Sequence, residues 1–111
     1  RYLNLNNNMN MESPFERVEN VVCFSIETLF EENISVKDIY KQTTKPHKYI
    51  ALARYMCFLF MRDNYAMSYK NIARHANMKE NSVIHNVAKA RILRFTDKNF
   101  AKLYSLIKNS I

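Results

Sequence analysis

Not one of the 111 residues is glycine. The phosphate-cradling loops of P-loop and dinucleotide-binding proteins need backbone without a side chain at fixed points, so both are excluded. Tight β-hairpins also lean on glycine for their positive φ angles, which argues against a hairpin-rich fold. With only two prolines, long stretches are left free to be helical.

The apolar spacing fills those stretches. Ser13, Pro14 and Glu16 supply an N-cap, a first-turn proline and the third-position glutamate of a capping box. Phe15, Val18, Val22, Ile26 and Leu29 then step by three and four, which predicts a helix to about Glu32. Ser35-Val-Lys-Asp38 predicts a second cap and a short helix through Ile39 and Tyr40. Lys41 to Lys48 reads as a polar, basic connector containing Pro46. From Tyr49 to Met61 the chain is apolar on nearly all sides, which predicts a central helix wrapped by the others. That run carries Arg54 and falls short of the roughly 20 residues that span a bilayer. Ser68 caps a fourth helix, Tyr69 to Ala76, and Asn77-Met78 makes a short turn. A fifth helix follows from Lys79 or Glu80 to Leu93. Thr96-Asp97 caps a sixth, with Phe100, Leu103, Tyr104 and Ile107 at helical spacing. The expectation is an all-α, single domain of about six helices over residues 13–111. Residues 1–12 are Asn-rich, aperiodic and start with Arg; they are expected to be disordered, a cloning-derived remnant or the frayed end of something longer.

Charge is divided along the chain. Residues 1–34 hold two arginines and six glutamates, a net of −4, while residues 35–111 hold 15 Lys+Arg and four acids, a net of +11. The basic part points to a polyanionic partner, nucleic acid before an anionic membrane. The acidic first helix is then expected to lie away from the polyanion-binding face. Cys23, Cys57, His47, His75 and His85 show no metal-ligand spacing, and no nucleophilic or paired-carboxylate constellation emerges, so neither an enzyme site nor a cofactor is expected. The two cysteines read as reduced core thiols in a reducing, cytoplasmic compartment.

Residues 69–88 fit a helix-turn-helix, placed at about 68–93. Ile72, Ala76, Met78 and Val83 are spaced to fill the angle between two short helices, and Ala73 supplies a small residue where they touch. Asn77 stands at the turn, where positive φ is needed and glycine is missing. A plain helical hairpin is the alternative; the +11 segment favours the DNA-reading form.

Ile50-Ala-Leu-Ala-Arg54 with Met56, Ser68-Tyr69 with Ile72, and Ser82-Val-Ile-His85 with Lys89 resemble the C-terminal DNA-binding domain of the bacterial replication initiator DnaA family. Ser35-Val-Lys-Asp-Ile39 looks like that family's short second helix, and Asp97, Phe100 and Leu103 fit its last. The resemblance spans roughly residues 16–110. It implies double-stranded DNA as partner, a bacterial, nucleoid-associated setting and service in replication initiation. The family's glycine-glycine-arginine-aspartate-histidine-threonine-threonine stretch is replaced here by Asn77-Met-Lys-Glu-Asn-Ser82, one residue shorter. Its base-reading positions match Lys79, Glu80 and Asn81, which implies an altered target. The family's nucleotide-binding domain is not in these residues, so ATP-driven origin melting does not reside in them.

The candidate base-reading residues are therefore Lys79, Glu80, Asn81 and Ser82. Asn81 suits bidentate pairing with adenine, Lys79 a guanine or phosphate, and Glu80 the cytosine amino group. Glu80 is equally placed as a helix-dipole carboxylate, and Ser82 can bond a phosphate or its own helix. Candidate backbone or groove contacts are Lys45, His47 and Lys48 in the connector, Arg54, Tyr69, Lys70, His85 and Lys89. Within its apolar run Arg54 needs a partner: Asp63, Glu27 or a phosphate. His85 either contacts DNA or packs as a neutral side chain. The rival readings are a protein-interaction module that keeps the fold without base readout, and a basic domain on anionic lipid. A larger parent chain is compatible with either of the first two.

Overall fold

The computed structural model describes residues 12–41 and 47–111. Among them are five α-helices and one 3-10 turn: α1 (Pro14–Phe30), the turn Val36–Asp38, α2 (Lys48–Asp63), α3 (Tyr69–Ala76), α4 (Glu80–Thr96) and α5 (Lys98–Ser110). The expected N-terminal tail up to residue 11, and the connector residues 42–46 with Lys45 and Pro46, lie outside the described residues.

Local chemistry sets the helix starts. Ser13 Oγ accepts from Glu16 N–H at 3.2 Å while Ser13 N–H donates to Glu16 Oε1 at 3.0 Å, a closed capping box. Ser68 caps α3 through Asn71 N–H at 3.1 Å, and Asp97 caps α5 through Phe100 N–H at 2.9 Å. α4 runs three residues beyond Leu93 before Asp97 ends it.

The second of the six expected helices is a single 3-10 turn. Ser35 makes no capping bond with its side chain. Just beyond the turn Ile39 is fully buried and Tyr40 packs on the core. Arg54 meanwhile draws off the carbonyls of Ile39 and Lys41. A segment that must turn inward at once and surrender its carbonyls to another helix cannot extend an α-helical ladder.

α2 is the centre, as its all-round apolar pattern predicts. Six consecutive residues, Met56 to Met61, are buried, so no face of that stretch meets water. α1, α3 and α4 pack around it, and α5 closes against α1 and α4. Val18, Val22 and Ile26 face inward from α1, Val83, Val87 and Ala90 from α4, and Phe100, Leu103 and Ile107 from α5. Each large one contributes about 1.5–3 kcal/mol. No helix among the described residues is long and apolar enough to cross a membrane.

Cys57 is buried and Cys23 half-buried, both as free thiols. Burial, helped by the nearby Glu19 carboxylate, pushes the Cys23 thiol up to about 11. Its thiolate fraction at neutral pH is then about 100-fold below that of an exposed cysteine. Labelling with an aromatic disulfide reagent should therefore be at least that much slower in the native chain than in urea. Equal rates would show that the thiols are not covered.

Candidate nucleic-acid interface

α3 and α4 are joined by a turn that the sequence specifies closely. Asn77 takes the left-handed conformation, φ 55° and ψ 48°. Its N–H reaches Arg74 O at 3.3 Å, and Met78 N–H reaches Ala73 O at 2.9 Å, which closes the end of α3. With the turn closed, Ile72, Ala73 and Ala76 of α3 are buried together with Val83 and Val87 of α4. Ala73 is 5% exposed.

On α3, the turn and the first half of α4, what remains exposed is polar. Lys70 on α3, and Lys79, Glu80, Asn81, His85 and Lys89 around and along α4, are exposed; Ser82 is half-buried. Asn81, His85 and Lys89 fall at successive i, i+4 positions and form one stripe. Lys79 occupies the N-cap without a side-chain capping bond, and Glu80 sits in the first turn, where the helix dipole favours a carboxylate. His85 is thus not a packed side chain. It shares a shallow hollow with Asn86, Lys89 and Tyr55 of α2. Tyr55 was not legible as a site residue, because it sits inside the apolar run that builds the core.

The other expected contacts separate into three groups. Tyr69 packs half-buried at the start of α3 with the Arg62 guanidinium 4.3 Å above its ring. His47 caps α2, its Nδ1 accepting from Tyr49 N–H at 3.2 Å, and Lys48 lies 5.5 Å from the Tyr49 ring; both are exposed. Arg54 departs from expectation. Its Nε donates to Ile39 O at 2.8 Å and its Nη2 to Lys41 O at 2.7 Å, so neither Asp63 nor Glu27 is its partner. Backbone carbonyls left over by the truncated second helix satisfy it instead. Asp63 pairs with Arg91, Oδ2 to Nε at 3.2 Å and Oδ1 to Nη2 at 2.5 Å, which holds that guanidinium above its usual range.

α2 and α4 run in the same sense: Tyr55 lies beside His85 and Lys89, and further along Asp63 reaches Arg91. The start of α2, with His47 and Lys48, therefore lies toward the end of the molecule that carries Lys79, Glu80 and Asn81. α1 packs on α2 and α5, which stand between it and α4. The expected separation of the acidic helix is seen on the α4 side but not at the start of α2, where the Phe30 and Tyr49 rings are 5.3 Å apart, nor at α3, where Phe15 and Glu19 of α1 meet His75.

One acid is withdrawn from the surface altogether. Glu19 is 3% exposed, and its Oε2 accepts from Tyr40 Oη at 2.5 Å and meets His75 Nε2 at 2.7 Å. The His75 ring stacks on Phe15 at 4.1 Å. This cluster ties α3 to α1. Its partners lie 21 and 56 residues from Glu19, so nothing in the local sequence announces it. Among the described residues no group of His, Cys, Asp and Glu could hold a metal ion. Comparison with known protein families, with curated proteins and with solved structures gives no match to this chain.

Proposed function

We propose that this chain binds double-stranded DNA through a helix-turn-helix made of α3 and α4, with a target altered from that of the DnaA family its sequence resembles. The observation that carries the reading is the turn at Asn77. It buries Ile72, Ala73 and Ala76 of α3 together with Val83 and Val87 of α4, and leaves Lys70, Lys79, Asn81, His85 and Lys89 exposed. In this reading Asn81, with Lys79 and Ser82, reads base edges in the major groove. Lys70, Lys48, His47, Tyr69 and Lys89 hold the phosphates, along with Lys45 in the connector. Arg54 acts as an internal tie. The role is binding and not catalysis, needs no cofactor, and serves replication initiation or its regulation within a larger parent chain or alone.

Fluorescence anisotropy with labelled duplexes across a salt series tests this. With about three to six phosphate contacts, log K against log salt should fall with a slope of roughly −3 to −5. Lys70→Ala should weaken all duplexes alike and make the slope shallower by about one. Asn81→Ala should flatten the preference for a site selected from random DNA by about 1–3 kcal/mol. A flat salt response, or no duplex affinity at low salt, moves the assignment to a protein-interaction module. One observation favours that second reading: Glu80 is exposed at the first position of α4, where it repels a phosphate backbone.

A further inference from the structure

Two exposed apolar sites of opposite electrostatic setting remain after the DNA face is assigned. On α4, Ala88, Ile92 and Phe95 are exposed at i, i+4 and i+7, with Ile92 at 60% and Phe95 at 80%. Phe95 is the most exposed large hydrophobic residue described. Its surroundings are net basic: from residue 81 to the end there are six Lys+Arg and a single acid, Asp97, which caps α5, and of the six only Arg91 is paired with an acid from another helix, Asp63, among the described residues. Arg94 lies 5.2 Å from the Phe95 ring, held there by stacking over Tyr104 at 4.1 Å. Phe95 is 14 residues along from Asn81, about 21 Å on a helix, so this end of α4 is clear of the base-reading end.

On α1, Phe24 is 70% exposed in an acidic setting. Glu27 and Glu31 follow at i+3 and i+7, both exposed, and Glu32 adds a third carboxylate. Among the described residues none of the three takes part in an ion pair. The two sites complement each other in charge and both offer an aromatic anchor. They cannot meet within one molecule, since α2 and α5 stand between α1 and α4.

We infer that the occupant of each site is a second copy of this chain, docked head to tail: the Phe24 face of α1 in one copy against the Ile92–Phe95 face of α4 in the next. Such a contact is heterologous. Each copy that joins leaves one site of each kind free, so association adds copies in a row and does not stop at a symmetric pair. A two-fold pairing of α4 with α4 would set Arg94 and Lys98 against their own copies. The inference does not depend on the DNA reading.

Sedimentation velocity on nucleic-acid-free protein, over a concentration series up to about 1 mM, reads the association in the range where small transient contacts form. The parent chain should grow in mean mass with concentration at low salt. It should shrink back toward monomer at about 0.5 M salt, where charges screen within a few ångströms. Phe24→Ser and Phe95→Ser should each lose most of the association while keeping the parent's helical circular dichroism, because both side chains face water. The deciding experiment mixes the two variants. Phe24→Ser keeps an intact α4 site and Phe95→Ser an intact α1 site, so the mixture should regain one contact and stop at a dimer. A parent that stays monomeric overturns the inference. So does a mixture that stays monomeric while the parent associates, which would mean a symmetric interface.

Discussion

Ala73→Glu should lower the melting temperature by some 15–30 °C. The methyl group it replaces is 5% exposed, on the helix that packs against α4 and α2. A carboxylate forced in there is a buried, unpaired charge, worth about 3–5 kcal/mol, with overpacking on top. For a domain of about 100 residues each 1 kcal/mol moves the transition by about 4–8 °C. Thermal melts by circular dichroism measure this, with Asn81→Ala as control. Asn81 is exposed, and its loss should shift stability by under about 0.5 kcal/mol. If Ala73→Glu melts with the parent, the two helices do not meet at residue 73 and the DNA-reading proposal loses its frame.

The second large effect concerns the buried acid. Glu19→Ala should destabilise the fold by about 2–4 kcal/mol, because the Tyr40 hydroxyl and the His75 ring both lose the oxygen they share. Glu19→Gln keeps the shape and one acceptor, and about half of that loss is expected. Urea titration of both variants, combined with His75→Ala in a double-mutant cycle, should give a coupling energy of about 1–3 kcal/mol. Strict additivity would show that the cluster does not tie α1 to α3. Since His75 lies five residues from Lys70, about 140° around α3, duplex affinity of folded Glu19→Gln should match the parent.

Helix starts and the turn at 77 could be read because their causes are local. Ser13 and Glu16 need only each other, and Asn77 needs only to be the residue that tolerates φ of 55° best where no glycine is offered. The central place of α2 followed from its composition, as six buried neighbours in a row leave no polar face to display. The misread parts depend on partners far along the chain. Ser35 has the look of a cap, yet Arg54, on another helix, takes the carbonyls that a longer helix would keep. Glu19 is one of six glutamates before residue 35, and only Tyr40 and His75, 21 and 56 residues away, set it apart from the others. Tyr55 belongs to an apolar run, and only the course of α4 beside it brings it next to His85 and Lys89.

The left-handed turns have a consequence for the unfolded chain. Three residues with side chains, Glu31, Ala66 and Asn77, hold φ between 54° and 57°. Asn tolerates this region best, whereas Ala66 has no polar group to compensate and carries about 1–2 kcal/mol of unfavourable backbone energy. In return, the denatured ensemble contains no glycine anywhere and is narrower than that of an ordinary chain of this length. Folding therefore loses less backbone entropy at each turn while storing some strain in the native state. Ala66→Gly would release that strain against a wider denatured ensemble worth about 0.4–1 kcal/mol, so a small net stabilisation is expected, and the chain without swivel points gives up that margin at this turn.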